Sequence, residues 1–228
     1  MADDRTDAPG DGVPPWLTDL VRGTRDVLPP ELARYAAPVP ADARGSSVLV
    51  LFGTGVQGPD LLLLRRSGAL RDHPGQVCFP GGSHAPGDGG PVRTALRETW
   101  EETGLDPSVV RIVGAMDPLN LAHSGFSVVP VLGWWGAGGS ITGDGQEIVS
   151  IHRVPLADLA DPGARLFVRL PDGHLSPGFL PGNLFVWGFT AALTASLLRL
   201  GGWELPWDTG RVEDLSDARR RYGGGPPP

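Results

Sequence analysis

The chain has 228 residues, 40% of them hydrophobic, which is enough for one domain with a real core. Its 26 acidic and 19 basic residues give a net charge of −7, which argues against nonspecific nucleic-acid binding. The single cysteine, Cys78, excludes a disulfide within the chain and a cysteine-rich zinc site, and it fits a reducing compartment. All 19 basic residues are arginines, which excludes mechanisms that depend on a lysine.

Glycine and proline punctuate the chain. The 34 glycines and 24 prolines make up about a quarter of the residues, and they are densest at 80–91 and 133–145. Periodic apolar segments lie between these clusters. We therefore interpret the clusters as loops of a compact domain and not as signs of disorder.

We predict one domain at residues 46–200, after an N-terminal tail and lead-in segment at 1–45 and before a C-terminal tail at 201–228. The outermost residues of both tails are expected to be solvated, including all those from Arg219 onward. The N-terminus is acidic and lacks the apolar region of a signal peptide. The most apolar stretch, 184–198, is too short and too polar to span a bilayer. We expect a cytoplasmic protein that binds neither membranes nor nucleic acids.

The hydrophobic pattern predicts an α/β fold. Strands are predicted, in chain order, at 47–52, 61–66, 77–79, 109–116, 126–134, 147–154, 166–170 and 184–187. Helices are predicted at 17–21, 92–103, 156–160 and 187–200. Residues 61–64 are four consecutive leucines, so this strand is expected in a sheet that helices cover on both faces.

The segment 91–105 contains the predicted helix 92–103, which has an acidic face. Pro91 suits its first turn, and Gly104 suits the position just past its end. The apolar face is predicted to comprise Val92, Ala95, Leu96, Thr99, Trp100 and Thr103, which makes Trp100 a core residue. The opposite face is predicted to stack three carboxylates at spacing i, i+3, i+4, those of Glu98, Glu101 and Glu102. Taken alone, these three residues fit a solvated acidic face.

The residues before this helix favour a metal site instead. A strand ends in Phe79-Pro80-Gly81-Gly82, and a loop ending at Asp88 follows. Glycines allow the backbone to approach a ligand closely. A glycine turn beside three carboxylates makes an all-oxygen site, which suits Mg²⁺ or Mn²⁺.

This segment resembles the signature of the Nudix hydrolases, which is a glycine, five residues, an acidic residue, a spacer, and then Arg-Glu-x-x-Glu-Glu-x-Gly and an apolar residue. The matching positions are Gly82, Asp88, Arg97, Glu98, Glu101, Glu102, Gly104 and Leu105. The chain departs from the signature at two points, since Asp88 replaces the usual Glu and the spacer has eight residues instead of seven. The resemblance implies an α/β/α sandwich with a mixed β-sheet, and metal-dependent hydrolysis of a diphosphate.

Residues 62–82 resemble the marker of the coenzyme A pyrophosphatase branch of this family. The matching positions are Arg66, Ser67, Leu70, Arg71, His73, Gly75, Gln76, Val77, Phe79, Pro80, Gly81 and Gly82. Residues 128–131 and 185–190 also resemble that branch. The implied reaction cleaves coenzyme A or acyl-coenzyme A to 3′,5′-ADP and a 4′-phosphopantetheine species. The implied substrate-binding residues are Arg66, Arg71, His73, Gly81 and Gly82. Ion pairing is the alternative role for the two arginines, and a turn is the alternative for His73.

The family resemblance also suggests roles for the acidic residues. It implies Mg²⁺ or Mn²⁺ held by Glu98, Glu101, Glu102 and the Gly82 carbonyl, with Arg97 orienting the carboxylates. Nudix enzymes often supply a further catalytic Glu from outside the signature, and Glu147 is the candidate here. Its alternative is an exposed charge at a strand end.

Other functions stay open at this point. One is Nudix hydrolysis of ADP-ribose, NADH or a nucleoside triphosphate. Another is a catalytically silent Nudix nucleotide sensor, which the loss of a signature carboxylate would favour, although all three are present. A homodimer through the apolar segment 184–200 is a further hypothesis. Cys78 is expected to be buried and unreactive.

Overall fold

The computed structural model describes residues 12–70, 73–136, 140–143 and 145–223. The strands of its main sheet are β1 (Arg44–Gly55), β2 (Gly58–Arg66), β3 (Val77–Cys78), β4 (Gly81–Ser83), β5 (Arg111–Ala115), β6 (Leu119–Leu121), β7 (Phe126–Trp135) and β8 (Ile148–Pro155). The helices are α1 (Pro15–Asp26), α2 (Pro91–Thr103), α3 (Leu156–Ala160), α4 (Gly188–Leu200) and α5 (Leu215–Tyr222). A smaller sheet contains β9 (Arg165–Arg169), β10 (Leu175–Phe179) and β11 (Val212–Asp214).

Strands β1 and β2 pair with each other only next to the turn that joins them, from Phe52 opposite Leu61 to Gly55 opposite Gly58. Farther along, β4 pairs with β1 and β3 pairs with β2. The two long strands therefore diverge, and the segment that connects β3 to β4 lies between them. The Pro80 carbonyl accepts a hydrogen bond from the Leu49 amide at 2.8 Å, which ties this segment to β1.

The main sheet is mixed. Strand β7 runs parallel to β1 along ten residue pairs. Strands β5 and β6 pair with β7 in antiparallel fashion, and β8 pairs with β2 in the same way. The predicted mixed sheet is confirmed.

Helices cover both faces of this sheet. Helices α1 and α4 pack on one face, where Leu61 and Leu63 of β2 are buried. Helix α2 packs on the other face, where Ala95 lies in a cluster with Leu62. The leucine run of β2 is thus buried from both sides, and the predicted α/β/α sandwich is confirmed.

Most predicted elements are present, but the strand predicted at 184–187 is wrong. This segment forms a single bridge from Val186 to Phe179 before α4 begins. Strands β4, β6, β10 and β11 were not predicted. They are three to five residues long, and β4 and β10 contain glycine, so none shows apolar alternation over the four or more residues that identify a strand from sequence.

The expectation that the chain is solvated from Arg219 onward holds for the side chains of Arg219, Arg220 and Arg221, which are exposed, but these residues belong to a docked helix and Tyr222 is half-buried. Strand β11 pairs in parallel with β9, and α5 follows it directly. Leu215, Ala218 and Tyr222 of α5 fall on one helical stripe and pack in a cluster with Phe185. That stripe is enough to dock the helix while its arginines stay exposed. The boundaries at 46 and 200 stay predictions, and α1, which precedes the first, packs into the main core.

Most residues of the apolar segment 184–200 are buried in the core of their own chain. Leu184, Phe185 and Val186 are buried, as are most residues of α4. This burial explains the hydrophobicity of the segment without a partner, and the homodimer stays a prediction. Among the described residues, no helix is long and apolar enough to cross a membrane.

Replacing Leu63 by Ala is expected to lower the free energy of unfolding by about 3 kcal/mol, because this fully buried side chain contacts the layer formed by α1 and α4. Urea denaturation followed by circular dichroism measures the change. Val56→Ala, in the exposed turn between β1 and β2, is the control and should change stability by less than about 0.5 kcal/mol. Equal losses in the two variants would contradict the assignment of β2 to the core.

Candidate active site

The two glycines at the end of the β3–β4 connection leave no room for side chains. Gly81 has a φ of +153°, and a Cβ there would overlap the backbone carbonyl of Ser47 on β1. A Cβ at Gly82 would overlap the carboxyl group of Glu98. Glycine at both positions allows α2 to bring its carboxylates directly against this backbone.

Glu102 is the buried carboxylate of the site. Its side chain points to the glycine turn, where the Gly81 amide donates a hydrogen bond to Oε2 at 2.9 Å. Burial raises the pKa of Glu102 to about 8, because desolvation disfavours the charged form; the Gly81 hydrogen bond opposes the rise, and Glu98 adds to it. The pKa of Glu98 is also raised, mainly by burial.

The predicted division of α2 into two faces is wrong in part. Glu102 lies about 20° from Ala95 around the helix, so it belongs to the face that packs on the sheet. Trp100 lies about 140° from Ala95 and is exposed, not a core residue. The predicted ends of the helix are confirmed, because Pro91 opens it and the left-handed Gly104 closes it.

Arg97 holds the remaining acidic groups around one guanidinium. Its Nη1 lies 2.9 Å from Glu98 Oε1 and 2.9 Å from Glu101 Oε2. Its Nε and Nη2 donate to the two carboxylate oxygens of Asp88 at 2.8 and 3.0 Å. Nη2 also donates to the Ser83 carbonyl at 3.0 Å. The guanidinium thus links α2 to the loop that precedes it.

Asp88 is a positioning residue that the sequence did not single out for a role. Its carboxylate accepts from Arg97, from the Ala85 amide and from the Thr94 hydroxyl. The hydrogen bonds from Arg97 and Ala85 hold the pKa of Asp88 well below its usual range, so it stays charged. The acidic position of the signature was a signal for such a role, and the shorter Asp reaches Arg97 despite the longer spacer.

The candidate substrate-binding residues of the upstream segment, residues 62–82, do not all lie at the carboxylates. Arg66 Nη2 lies 3.8 Å from Glu147 Oε2. The positive charge of Arg66 opposes the rise in the pKa of Glu102 that burial causes. His73 Nδ1 hydrogen-bonds to Gln76 Oε1 at 3.0 Å in an exposed turn. Arg71 lies outside the described residues. The structure therefore brings Arg66 to the carboxylates, and it places His73 in a turn.

Glu147 and Cys78 border the same region. Glu147 is exposed, lies just before β8, and adds to the rise in the pKa of Glu102. Cys78 on β3 is half-buried and not fully buried as expected. Desolvation raises the pKa of its thiol to about 12, the charge of Glu102 adds to the rise, and Arg66 opposes it. A thiol with this pKa stays protonated near neutral pH, which agrees with the expectation of an unreactive cysteine.

The carboxylates are chemically suited to a hard divalent cation, although the three glutamates of α2 do not all point to one position. In the described part of the chain, no group of three or more His, Cys, Asp or Glu side chains is placed to hold a metal ion. Glu98 and Glu102 lie at the glycine turn, whereas Glu101 is exposed and engages Arg97. The Gly82 carbonyl accepts a hydrogen bond from the Ser46 hydroxyl at 2.7 Å. These oxygen donors are those that Mg²⁺ and Mn²⁺ prefer.

Comparison with known proteins agrees with this site. A model of the Nudix domain matches residues 43–170, which is more than half of the chain. A protein of Yersinia enterocolitica named uncharacterized Nudix hydrolase NudL is 34% identical over 142 residues, which cover 61% of this chain and 72% of that protein. The protein of the same name from Yersinia pestis is 36% identical over 142 residues, with 61% and 71% covered.

A solved structure gives the same fold. The Nudix hydrolase RenU of M. smegmatis has a TM-score of 0.50 and 15% identity, over 73% of this chain and 90% of that one. Together with the family model and the two relatives, the packing of α2 on the glycine turn leads to one conclusion. The chain belongs to the Nudix hydrolases, a family that acts on nucleoside diphosphate derivatives and generally uses divalent metal ions.

Proposed function

We propose that this Nudix hydrolase cleaves the pyrophosphate bond of coenzyme A or acyl-coenzyme A, with Mg²⁺ or Mn²⁺ as cofactor. The products would be 3′,5′-ADP and the matching 4′-phosphopantetheine. The observation that carries the proposal is the position of Arg66. This residue of the upstream segment lies beside Glu102 and Glu147, so the segment and the signature contribute to one site.

A diphosphate needs local positive charge in a chain of net charge −7. Because the chain has no lysine, the charge must come from arginine, backbone amides and the cation. Arg66 is the candidate arginine, because it lies near the carboxylates of Glu147 and Glu102. Its Nε is buried without a hydrogen-bond partner. Such an unsatisfied donor is costly unless a ligand engages it.

In the proposed site, Glu98, Glu101, Glu102 and the Gly82 carbonyl hold the cation. A bound cation would supply positive charge to the diphosphate and would make the attacking water more acidic. Arg97 keeps the carboxylates in place, and Glu147 is the candidate that accepts the proton of the attacking water. No covalent intermediate is needed.

The second candidate function is Nudix hydrolysis of another nucleoside diphosphate derivative, such as ADP-ribose or NADH. The signature carboxylates would serve both reactions equally, so only a comparison of substrates can distinguish the two functions. A silent nucleotide sensor is disfavoured, because all the signature carboxylates are present. Cytoplasmic location and a homodimer also stay proposals, and light scattering tests the second.

A substrate panel tests the specificity. Purified protein with Mg²⁺ should cleave coenzyme A or acyl-coenzyme A with a higher kcat/KM than ADP-ribose, NADH or nucleoside triphosphates, as measured by chromatography of the products. Dephospho-coenzyme A is the matched control, since it lacks only the 3′-phosphate. A preference for ADP-ribose or a triphosphate would contradict the proposed substrate.

Glu102→Gln should lower kcat by about two to four orders of magnitude, because it removes a cation ligand and a negative charge from the site. The variant should stay folded, since burial already favours the neutral form of this carboxyl group. Steady-state kinetics and thermal unfolding measure the two effects. Asp26→Asn, an exposed change on α1 at the other face of the sheet, is the control. Near-wild-type kcat in Glu102→Gln would overturn the cation assignment.

Arg97→Lys should lower kcat/KM by about 10- to 100-fold, a usual effect of losing a residue that orients metal ligands. A lysine keeps the charge but cannot bridge Asp88 and two glutamates with one planar group. Titration with Mn²⁺ should show weaker binding as well. Arg93→Lys, on the exposed side of the same helix, should leave both measurements unchanged. Full activity of Arg97→Lys would show that the bridging geometry is dispensable.

A further inference from the structure

The end of β2 carries two neighbouring arginines that lie in different surroundings. Arg66 lies with Glu147 and Glu102 on the side of the candidate active site. Arg65 donates from Nη2 to the backbone carbonyl of Gly223, the residue just after α5, at 3.2 Å. Because side chains alternate along a strand, fixing one of these residues also fixes the direction of the other.

The pairing of β2 is irregular at this same point. Arg65 lies opposite Ser150 of β8, but Arg66 lies opposite Ile148, so one residue of β8 is skipped. Such a bulge re-aims the side chains next to it and weakens the local ladder. The extra residue of the bulge is Val149 of β8. The Arg66 amide still donates to the Gln76 carbonyl at 2.9 Å, and the Ser67 amide donates to the Glu147 carbonyl at 2.7 Å. These bonds fix the backbone of β2 and not the direction of its side chains.

Helix α5 supplies a support from outside the main sheet. Ala218 is fully buried against β9, and Glu213 of β11 accepts from the Tyr222 hydroxyl at 2.9 Å. The helix thus ends at a defined position, with the Gly223 carbonyl presented to Arg65. The turn that follows β2 lies at the same place, since a Cβ at Gly75 would be 3.8 Å from that carbonyl.

We propose that Arg65 is a positioning residue, which uses the docked end of α5 to hold the end of β2 opposite the bulge in β8 and thereby keeps Arg66 directed at the substrate diphosphate. This inference rests on the proposed function in so far as Arg66 binds substrate. It assigns a purpose to residues 212–223, which lie beyond the matched family domain.

Steady-state kinetics of point variants of the full chain test this proposal, with the diphosphate from the panel that the wild type cleaves best. Arg66→Ala should raise KM by about tenfold or more, as expected for loss of a charged hydrogen bond. Arg65→Ala should raise KM by about fivefold and leave kcat within about twofold. Arg65→Lys keeps a donor and should recover part of the loss. Ala218→Asp, which undocks α5, should raise KM as Arg65→Ala does, and the double variant should be no worse than either.

Arg220→Ala is the matched control. It removes the same charge from an exposed position on α5, where Arg220 contacts Asp217, and KM should not change. Hydrogen exchange gives a readout that does not depend on activity. Peptides covering residues 64–70 should exchange faster in Arg65→Ala and Ala218→Asp than in the wild type or Arg220→Ala.

The outcomes separate the two proposals. If Arg66→Ala raises KM but Arg65→Ala changes neither KM nor exchange, the positioning role is overturned and the substrate role of Arg66 stands. If Arg66→Ala leaves KM unchanged, Arg66 does not bind substrate, and both proposals fail at that residue. A fall in kcat with constant KM in Arg65→Ala would also overturn the positioning role.

Discussion

The close approach of α2 to the backbone of Gly81 and Gly82 is the constraint on which the rest of the site depends. It requires that β1 and β2 diverge, so that the segment between β3 and β4 can lie between them. It also requires glycine at position 81, where a Cβ would overlap the backbone of β1, and a Cβ at position 82 would displace the carboxyl group of Glu98. Backbone and carboxylates then form one continuous surface of oxygen and amide groups, which is what a cation and a diphosphate need.

This approach places several negative charges together, and the structure offsets their repulsion in two ways. Glu102 is buried against an amide and near Arg66, whereas Glu98 and Glu101 share the guanidinium of Arg97. Arg97 in turn is held by Asp88, which is itself fixed by Thr94 and the Ala85 amide. A planar fork is suited to bridging acceptors on a helix and on a loop, and an ammonium group is not. The cost of burying Glu102 is one that a bound divalent cation would offset.

Local patterns predicted the layers of the fold and the segments of the site, but they did not predict how those segments meet. The burial of the four leucines of β2 and the ends of α2 could be predicted, because burial from both sides requires consecutive apolar residues and helix ends favour proline and glycine at fixed positions. Trp100 is apolar but lies about 140° from Ala95 around the helix, so its angle, and not its apolar character, determines that it is exposed. The docking of α5 depends on three residues whose partners lie far away in the sequence, and β4 pairs through glycines that carry no hydrophobic signal. Such long-range packing cannot be obtained from periodicity.

The matched family domain covers residues 43–170 and includes α3, yet the two longer helices on the opposite face of the sheet from α2 lie outside it. These two helices are α1 and α4, and β11 and α5 reach the end of β2. The family signature therefore explains the chemistry near α2, whereas the flanking segments support the strand that carries Arg66. Carboxylates and a cation alone would treat many diphosphates alike, and the role we propose for Arg66 at the diphosphate adds a contact that the signature does not supply. On this proposal the flanking segments hold that contact in place through Arg65, so differences in substrate affinity between Nudix hydrolases can arise in parts of the chain that the signature does not include.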